Sequence, residues 1–265
     1  MLAAYVKRGV KAGVVAGLVF GLLVALVANP LVAFADELAH GNHPAATEDH
    51  DHAAGELSEA GTNSAHHESA VSMTVTNGVS ILSGILWGVL LGGVVFGVAY
   101  YFIEPAIPGT GGVKSYLLAV AGFITVSGAP WLVLPPQPPG VEQAVPTETR
   151  IVLYGGMMLA GALVCLLSGV IYGRLRTARG RAIAAVVAVL PFGLLVVPVV
   201  PAPVNSVEST LPPELATGLT GMIVFGQALL WLLLAGTHAR LRHRSTNTHS
   251  SDAATSHVDT AVTAD

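Results

Sequence analysis

The chain alternates between long apolar stretches and short polar ones. Six stretches of about 20 residues contain no Asp, Glu, Lys or Arg: Ala12–Ala35, Gly78–Ile103, Ser115–Leu134, Ile151–Gly173, Ala182–Val200 and Gly218–Thr237. A helix of about 20 apolar residues crosses the ~30 Å hydrocarbon core of a bilayer. The stretches are apolar all round, whereas the strands of a membrane barrel alternate apolar and polar positions. The pattern therefore predicts an all-α, polytopic integral membrane protein with six transmembrane helices.

The first apolar stretch has a second interpretation. Lys7 and Arg8 precede it, and Ala33-Phe34-Ala35 ends it before Asp36, as in a secretory signal followed by its cleavage site. The stretch is longer than the usual signal core of about 7–15 residues, so we expect the helix to be retained. Cleavage would leave five transmembrane helices.

The distribution of charge predicts the orientation. Only 11% of the residues are charged, against about 25% in a soluble domain. With the N-terminus inside, eleven of the twelve Lys and Arg residues fall at inner ends of the predicted helices, and only Arg150 falls outside. Both termini are therefore predicted to be cytoplasmic. The predicted regions are a first transmembrane helix (1–35), an outer loop (36–77), a five-helix membrane domain (78–237) and a disordered cytoplasmic tail (238–265).

Glycines recur at every fourth position in the first two predicted helices. One set is Gly9, Gly13, Gly17 and Gly21, and the other is Gly84, Gly88 and Gly92. This spacing puts each set on one helix face, where the missing side chain allows another backbone to approach closely. We expect a close helix contact, within the subunit or to a partner.

The outer loop is the densest candidate for chemistry. Residues 36–77 hold six of the ten histidines and eight of the sixteen acidic residues, with no Lys or Arg. Imidazole is the commonest side-chain ligand for Co, Ni and Zn, and carboxylates add oxygen ligands. We expect the metal ligands to be His40, His43, His50, His52, His66 and His67, with Asp49 and Asp51 as the nearest oxygen donors. The alternative is a solvated acidic linker whose histidines are incidental.

Polar residues are sparse elsewhere. Gln227 lies inside the last predicted helix, where its amide must bridge helices or line a path, and Asn205 in the last outer loop is a second path or packing candidate. Glu104-Pro105 is typical of a helix end. No protease, hydrolase or nucleotide-binding motif is present, so we expect neither catalysis nor a bound cofactor. No basic arm with interleaved aromatic residues indicates a nucleic-acid partner.

Several motifs resemble the predicted cobalt transporter subunits of the CbtA family over residues 1 to 235. They are Trp87-Gly88, the run from Ala129-Pro130 through Leu134-Pro135-Pro136 to Pro139-Gly140, Asn205 in the last outer loop, and Gln227 to Trp231. The resemblance implies cobalt uptake linked to cobalamin synthesis, and a small single-span partner of the CbtB type that also carries histidines. The rival interpretations are a nickel or zinc transporter subunit, and a non-transporting metal-binding or sensory subunit whose helices anchor the loop.

Overall fold

A computed structural model describes residues 2–41, 72–138, 142–203, 205, 207–208 and 211–262. Within these residues the chain forms six helical segments, in the order that the hydrophobic pattern predicts. Their ranges are α1, Leu2–Leu23 with Val24–Ala28 and Asn29–Gly41; α2, Met73–Val89 with Leu90–Gly97 and Val98–Ile103; α3, Gly112–Phe123 with Ile124–Gly128 and Pro130–Leu132; α4, Thr147–Ala178; α5, Arg181–Val189 with Leu190–Val196; and α6, Pro213–Val262. The all-helical fold class is confirmed.

The helix α5 is the shortest of the six. Among the described residues, five helices are long and apolar enough to cross a membrane, and α5 is a shorter apolar helix, Arg181–Val196. Pro191 lacks a backbone donor, and the chain winds into a 3-10 helix from Leu190 onward. Because a 3-10 helix rises about 2 Å per residue, the two parts of α5 together reach about 28 Å. The predicted count of six is therefore approximate.

The glycine faces of α1 and α2 meet in an antiparallel contact that we call the glycine seam. Gly13 lies against Gly88, and Gly17 lies against Gly84. A Cβ atom on Gly13 would lie 2.0 Å from the carbonyl oxygen of Gly88, far inside van der Waals contact. Only glycine lets the backbones of α1 and α2 come this close, and backbone contact of this kind stabilises helix pairs in lipid. The predicted close contact is confirmed, and it lies within the subunit.

The helices are packed around two cores. In the first, Ala12 and Ala16 of α1 meet Tyr100 of α2 and Trp231 of α6, with Ala119 of α3 beside them. In the second, the end of α3 packs against α4 and α5 through residues that include Ala129, Met157 and Leu195. Helix α3 thus belongs to both cores, and α6, which follows the other five in sequence, packs back onto α1 and α3.

The antiparallel packing gives the bundle two distinct ends. At one, which we call the cation-rich end, Tyr5, Glu104, Lys114 and Arg242 lie together. At the other, the loop end, residues Glu142–Gln143 pair antiparallel with Val207–Glu208. The loops before α4 and before α6 therefore contact each other.

Helical structure extends further than the sequence predicts. Helix α1 continues to Gly41 and α2 begins at Met73, both inside the predicted outer loop. Helix α6 continues to Val262, where the sequence predicts a disordered tail. Adding a residue to an existing helix costs much less than starting a new one, so polar segments can continue a helix that packing has already nucleated.

Candidate functional site

The predicted metal ligands lie almost wholly outside the described residues. The backbone of His40 is in the last turn of α1. The remaining predicted ligands fall outside the described ranges: His43, His50, His52, His66, His67, Asp49 and Asp51. Across the described part of the chain, no three His, Cys, Asp or Glu side chains come together as a metal site. Metal collection by this segment stays a prediction.

The two helices that flank this segment are tied together at the loop end. The Nδ2 group of Asn29 donates to Asn77 Oδ1 at 2.8 Å and to Ser80 Oγ at 3.0 Å. Ser80 in turn donates to the carbonyl oxygen of Thr76 at 2.9 Å. This network joins α1 to α2, so both connections to residues 42–71 leave from the same end of the bundle.

Near this network, Gln227 lines a small cavity between α1 and α6. The cavity has a volume of about 120 Å³, and most of its lining is apolar, with Phe20 and Val24 from α1 and Met222 from α6. The π-helical turn Val24–Ala28 widens α1 at this position. The amide of Gln227 makes no hydrogen bond to any described residue. Its role, to bridge helices or to line a path, stays a prediction.

Asn205, the second path or packing candidate, lies at the loop end. Its Oδ1 atom accepts a hydrogen bond from the backbone N–H of Val145 at 3.3 Å. The bond joins the segment before α4 to the segment before α6, beside the short strand pair. The role of Asn205, in a path or in packing, stays a prediction.

A polar cluster at the cation-rich end joins four helices around Glu104. The carboxylate, directly after α2, accepts a hydrogen bond from Tyr5 of α1 at 2.7 Å and forms an ion pair with Arg242 of α6. The backbone carbonyl of Glu104 accepts a hydrogen bond from Lys114 of α3 at 2.9 Å. Arg242 also donates to the hydroxyl of Tyr100 and lies 5.3 Å from the centre of its ring.

The surroundings of Glu104 keep its carboxyl group ionised. Partial burial raises its pKa, but the hydrogen bonds from Tyr5 and Arg242 and the positive charges of Arg242 and Lys114 lower it more. The net result is a pKa below the usual range of a glutamate. The ion pair is therefore fully charged at neutral pH.

Below this ion pair, His238 of α6 is completely buried. Its Nδ1 atom is 2.9 Å from the hydroxyl of Ser115 on α3. Its ring centre lies 4.7 Å from that of Tyr100 and 5.2 Å from that of Phe96. The other ring nitrogen, Nε2, is buried without a hydrogen-bond partner among the described residues. Sequence reasoning missed this residue because it lies one position beyond the predicted end of the last transmembrane helix.

Long apolar helices, a backbone seam and polar groups enclosed between helices define a multi-pass integral membrane protein. The family model described as "Probable cobalt transporter subunit (CbtA)" matches residues 2–243, and the chain belongs to this family. The resemblance found in the sequence is confirmed. No curated protein and no solved structure matches the chain.

Proposed function

We propose that this protein is the membrane subunit of a cobalt uptake system, which collects the ion at residues 36–77 and passes it into the bundle. One observation carries the proposal: the chain belongs to a cobalt transporter subunit family, and its residues 36–77, which include the connection between α1 and α2, hold six histidines and eight acidic residues without a Lys or Arg. Imidazole and carboxylate together suit Co²⁺ and do not favour Cu(I), which prefers thiolates.

The proposed orientation puts this segment outside the cell and both termini in the cytoplasm. Support comes from the positive-inside rule, because eleven of the twelve Lys and Arg residues belong to segments on one side in the alternating topology. Lys114 and Arg242, from two of those segments, meet at Glu104. The cation-rich end would then face the cytoplasm.

The position of the segment's two ends supports transfer into the bundle. Asn29 and Asn77 join α1 to α2 at the loop end, and the cavity lined by Gln227 lies along α1 within the same half of the bundle. An ion released from the histidines would reach these amides first. Energy coupling would come from elsewhere, and a small single-span subunit of the CbtB type is the partner that the family suggests.

Changing all six histidines of residues 36–77 to alanine is expected to raise the cobalt concentration for half-maximal uptake at least about tenfold, because weak collecting ligands are lost. Uptake at high cobalt should be nearly unchanged. The measurement is uptake of radioactive cobalt by cells that express the chain. A variant with His249 and His257 changed to alanine is the matched control, and competition with Ni²⁺ and Zn²⁺ tests the choice of metal. Uptake equal to that of empty cells for every form, also when a CbtB-type subunit is expressed with it, would contradict transport by this chain.

The Gln227→Leu variant distinguishes two hypotheses: that the protein is a transporter, and that its helices only anchor a metal-binding segment in the membrane. If the amide lines the path, its loss should slow cobalt uptake about tenfold, which corresponds to about 1.4 kcal/mol, or one lost hydrogen bond. Cobalt binding at the cell surface should stay the same. Thr217→Val, an equally apolar change on an exposed position of the same helix, is the control. Unchanged uptake by the Gln227 variant would favour the anchor.

A further inference from the structure

One face of α6 carries polar side chains along most of the first core. Gln227, Trp231, His238 and Arg242 follow at intervals of four, seven and four residues, which places them on one side of a helix. The face begins at the cavity beside α1 and ends at the ion pair with Glu104. The Nε1 atom of Trp231, like Nε2 of His238, is buried without a hydrogen-bond partner among the described residues.

The unpartnered nitrogen of His238 requires an explanation. Burying a polar group without a hydrogen bond costs free energy, and most buried polar groups in proteins are paired. The side chain of His238 has no exposed surface. A histidine that served only to fill the core could be replaced by an apolar residue of similar size at no such cost. A ligand on Nε2 at another stage of the protein's cycle would offset this free-energy cost.

The hydrogen bond to Ser115 prepares the ring for metal binding. Histidines that bind metals generally use their second ring nitrogen in a hydrogen bond, which fixes the tautomer and the ring orientation. When Nδ1–H donates to Ser115 Oγ, the Nε2 atom carries the lone pair that a metal ion needs. The neutral imidazole and the nearby Glu104 carboxylate are both suitable ligands for Co²⁺.

We propose that His238 Nε2 is a ligand for the transported divalent cation inside the bundle, and that the Arg242–Glu104 ion pair closes this site. The inference rests on the function proposed above and names a site within the path. Arg8, Arg242 and Glu104 are the charged groups that act on His238, so two guanidinium groups repel a cation in the observed arrangement. When Arg242 leaves Glu104, positive charge is removed and the carboxylate becomes available. Two protein ligands leave the other coordination positions to water. Such weak binding suits a site of transit, because the site must also release its ion.

The test measures Co²⁺ binding to the purified full chain in detergent, with the six histidines of residues 36–77 changed to alanine. Equilibrium dialysis gives the affinity, and the electron paramagnetic resonance of bound Co²⁺ reports nitrogen coordination. His238→Asn, which keeps a polar group near Ser115 but removes Nε2, is expected to weaken the tightest site at least tenfold and to remove its nitrogen signal. The matched control is His243→Asn, which changes an exposed histidine on the same helix. It should leave the Co²⁺ affinity and the nitrogen signal unchanged.

A second variant keeps His238 intact. Arg242→Gln removes the blocking charge and is expected to tighten Co²⁺ binding at least tenfold, whereas Arg244→Gln, at an exposed position nearby, should not. Equal binding by the parent and by His238→Asn, or no gain from Arg242→Gln, would overturn the assignment. Cellular uptake separates the two proposals: uptake retained by His238→Asn refutes only the site. Absence of uptake by the unaltered chain, also when a CbtB-type subunit is expressed with it, refutes the transport function itself.

Discussion

Gly88→Ala is expected to lower the free energy of unfolding by about 1–3 kcal/mol, the usual cost of overpacking a close contact. The new Cβ atom would lie 2.2 Å from the carbonyl oxygen of Gly13 and 2.7 Å from the Cα atom of Gly17. Both neighbours are backbone atoms, so no side chain can rotate away. Helices α1 and α2 would have to separate, and the contacts at the other levels of the glycine seam would loosen with them.

Gly78→Ala is the control on the same helix. A Cβ atom at Gly78 meets nothing within 4 Å, so the substitution should be neutral or should add up to about 1 kcal/mol through better helix propensity. Thermal unfolding in detergent, followed by circular dichroism, compares the two variants. Equal midpoints for Gly88→Ala and Gly78→Ala would show that the seam does not hold α1 against α2.

Glu104→Gln is expected to cost about 1–3 kcal/mol, because it removes the charge from the hydrogen bonds with Tyr5 and Arg242. The side chains of Glu104 and Arg242 are 16% and 25% exposed, so water weakens their attraction relative to a fully buried pair. Glu148→Gln, an exposed residue in the first turn of α4, should cost less. Denaturant unfolding at pH 7 measures both variants, and equal losses would argue against a structural role for the cluster.

The same carboxylate predicts a pH dependence. The pKa of Glu104 is lower in the folded protein than in the unfolded chain, where it is about 4.3. Its contribution to stability is therefore complete above about pH 4.3 and is lost as the pH falls through the lower, folded value. The free energy of unfolding of the parent, measured against pH, should fall at acid pH as Glu104 is protonated. The same measurement on Glu104→Gln should lack this part of the fall.

The spans and the glycine seam could be predicted because their signals are local. The length of an apolar run decides whether a helix crosses the bilayer. A four-residue repeat such as Gly9-Gly13-Gly17 decides which face of the helix lacks side chains. The shortened α5 also has a local cause, Pro191, but the number of apolar residues in a run does not show how a proline within it changes the helix.

The polar cluster could not be predicted because its partners are distant in sequence. Tyr100 and Arg242 are 142 residues apart, and each lies near a predicted helix end, where polar groups are usually solvated. Taken alone, Glu104 before Pro105 indicates only the end of a helix. The usable signal was the spacing of Gln227, Trp231, His238 and Arg242 on one face of α6. The metal-collecting role of residues 36–77 stays a prediction that only binding and uptake can decide.

The return of α6 to the first core has a consequence for biosynthesis. The ribosome makes α1, α2 and α3 first, and the glycine seam lets α1 and α2 associate as soon as both are in the membrane. Until α6 is inserted, Glu104 has no Arg242 and Ser115 has no His238. In a nascent chain halted before α6, the Glu104 carboxylate therefore lacks its ion pair and keeps its hydrogen bond from Tyr5, and the Ser115 hydroxyl lacks its contact with His238. Insertion of α6 supplies both missing contacts at once, so the first core is completed only when the last helix enters the membrane.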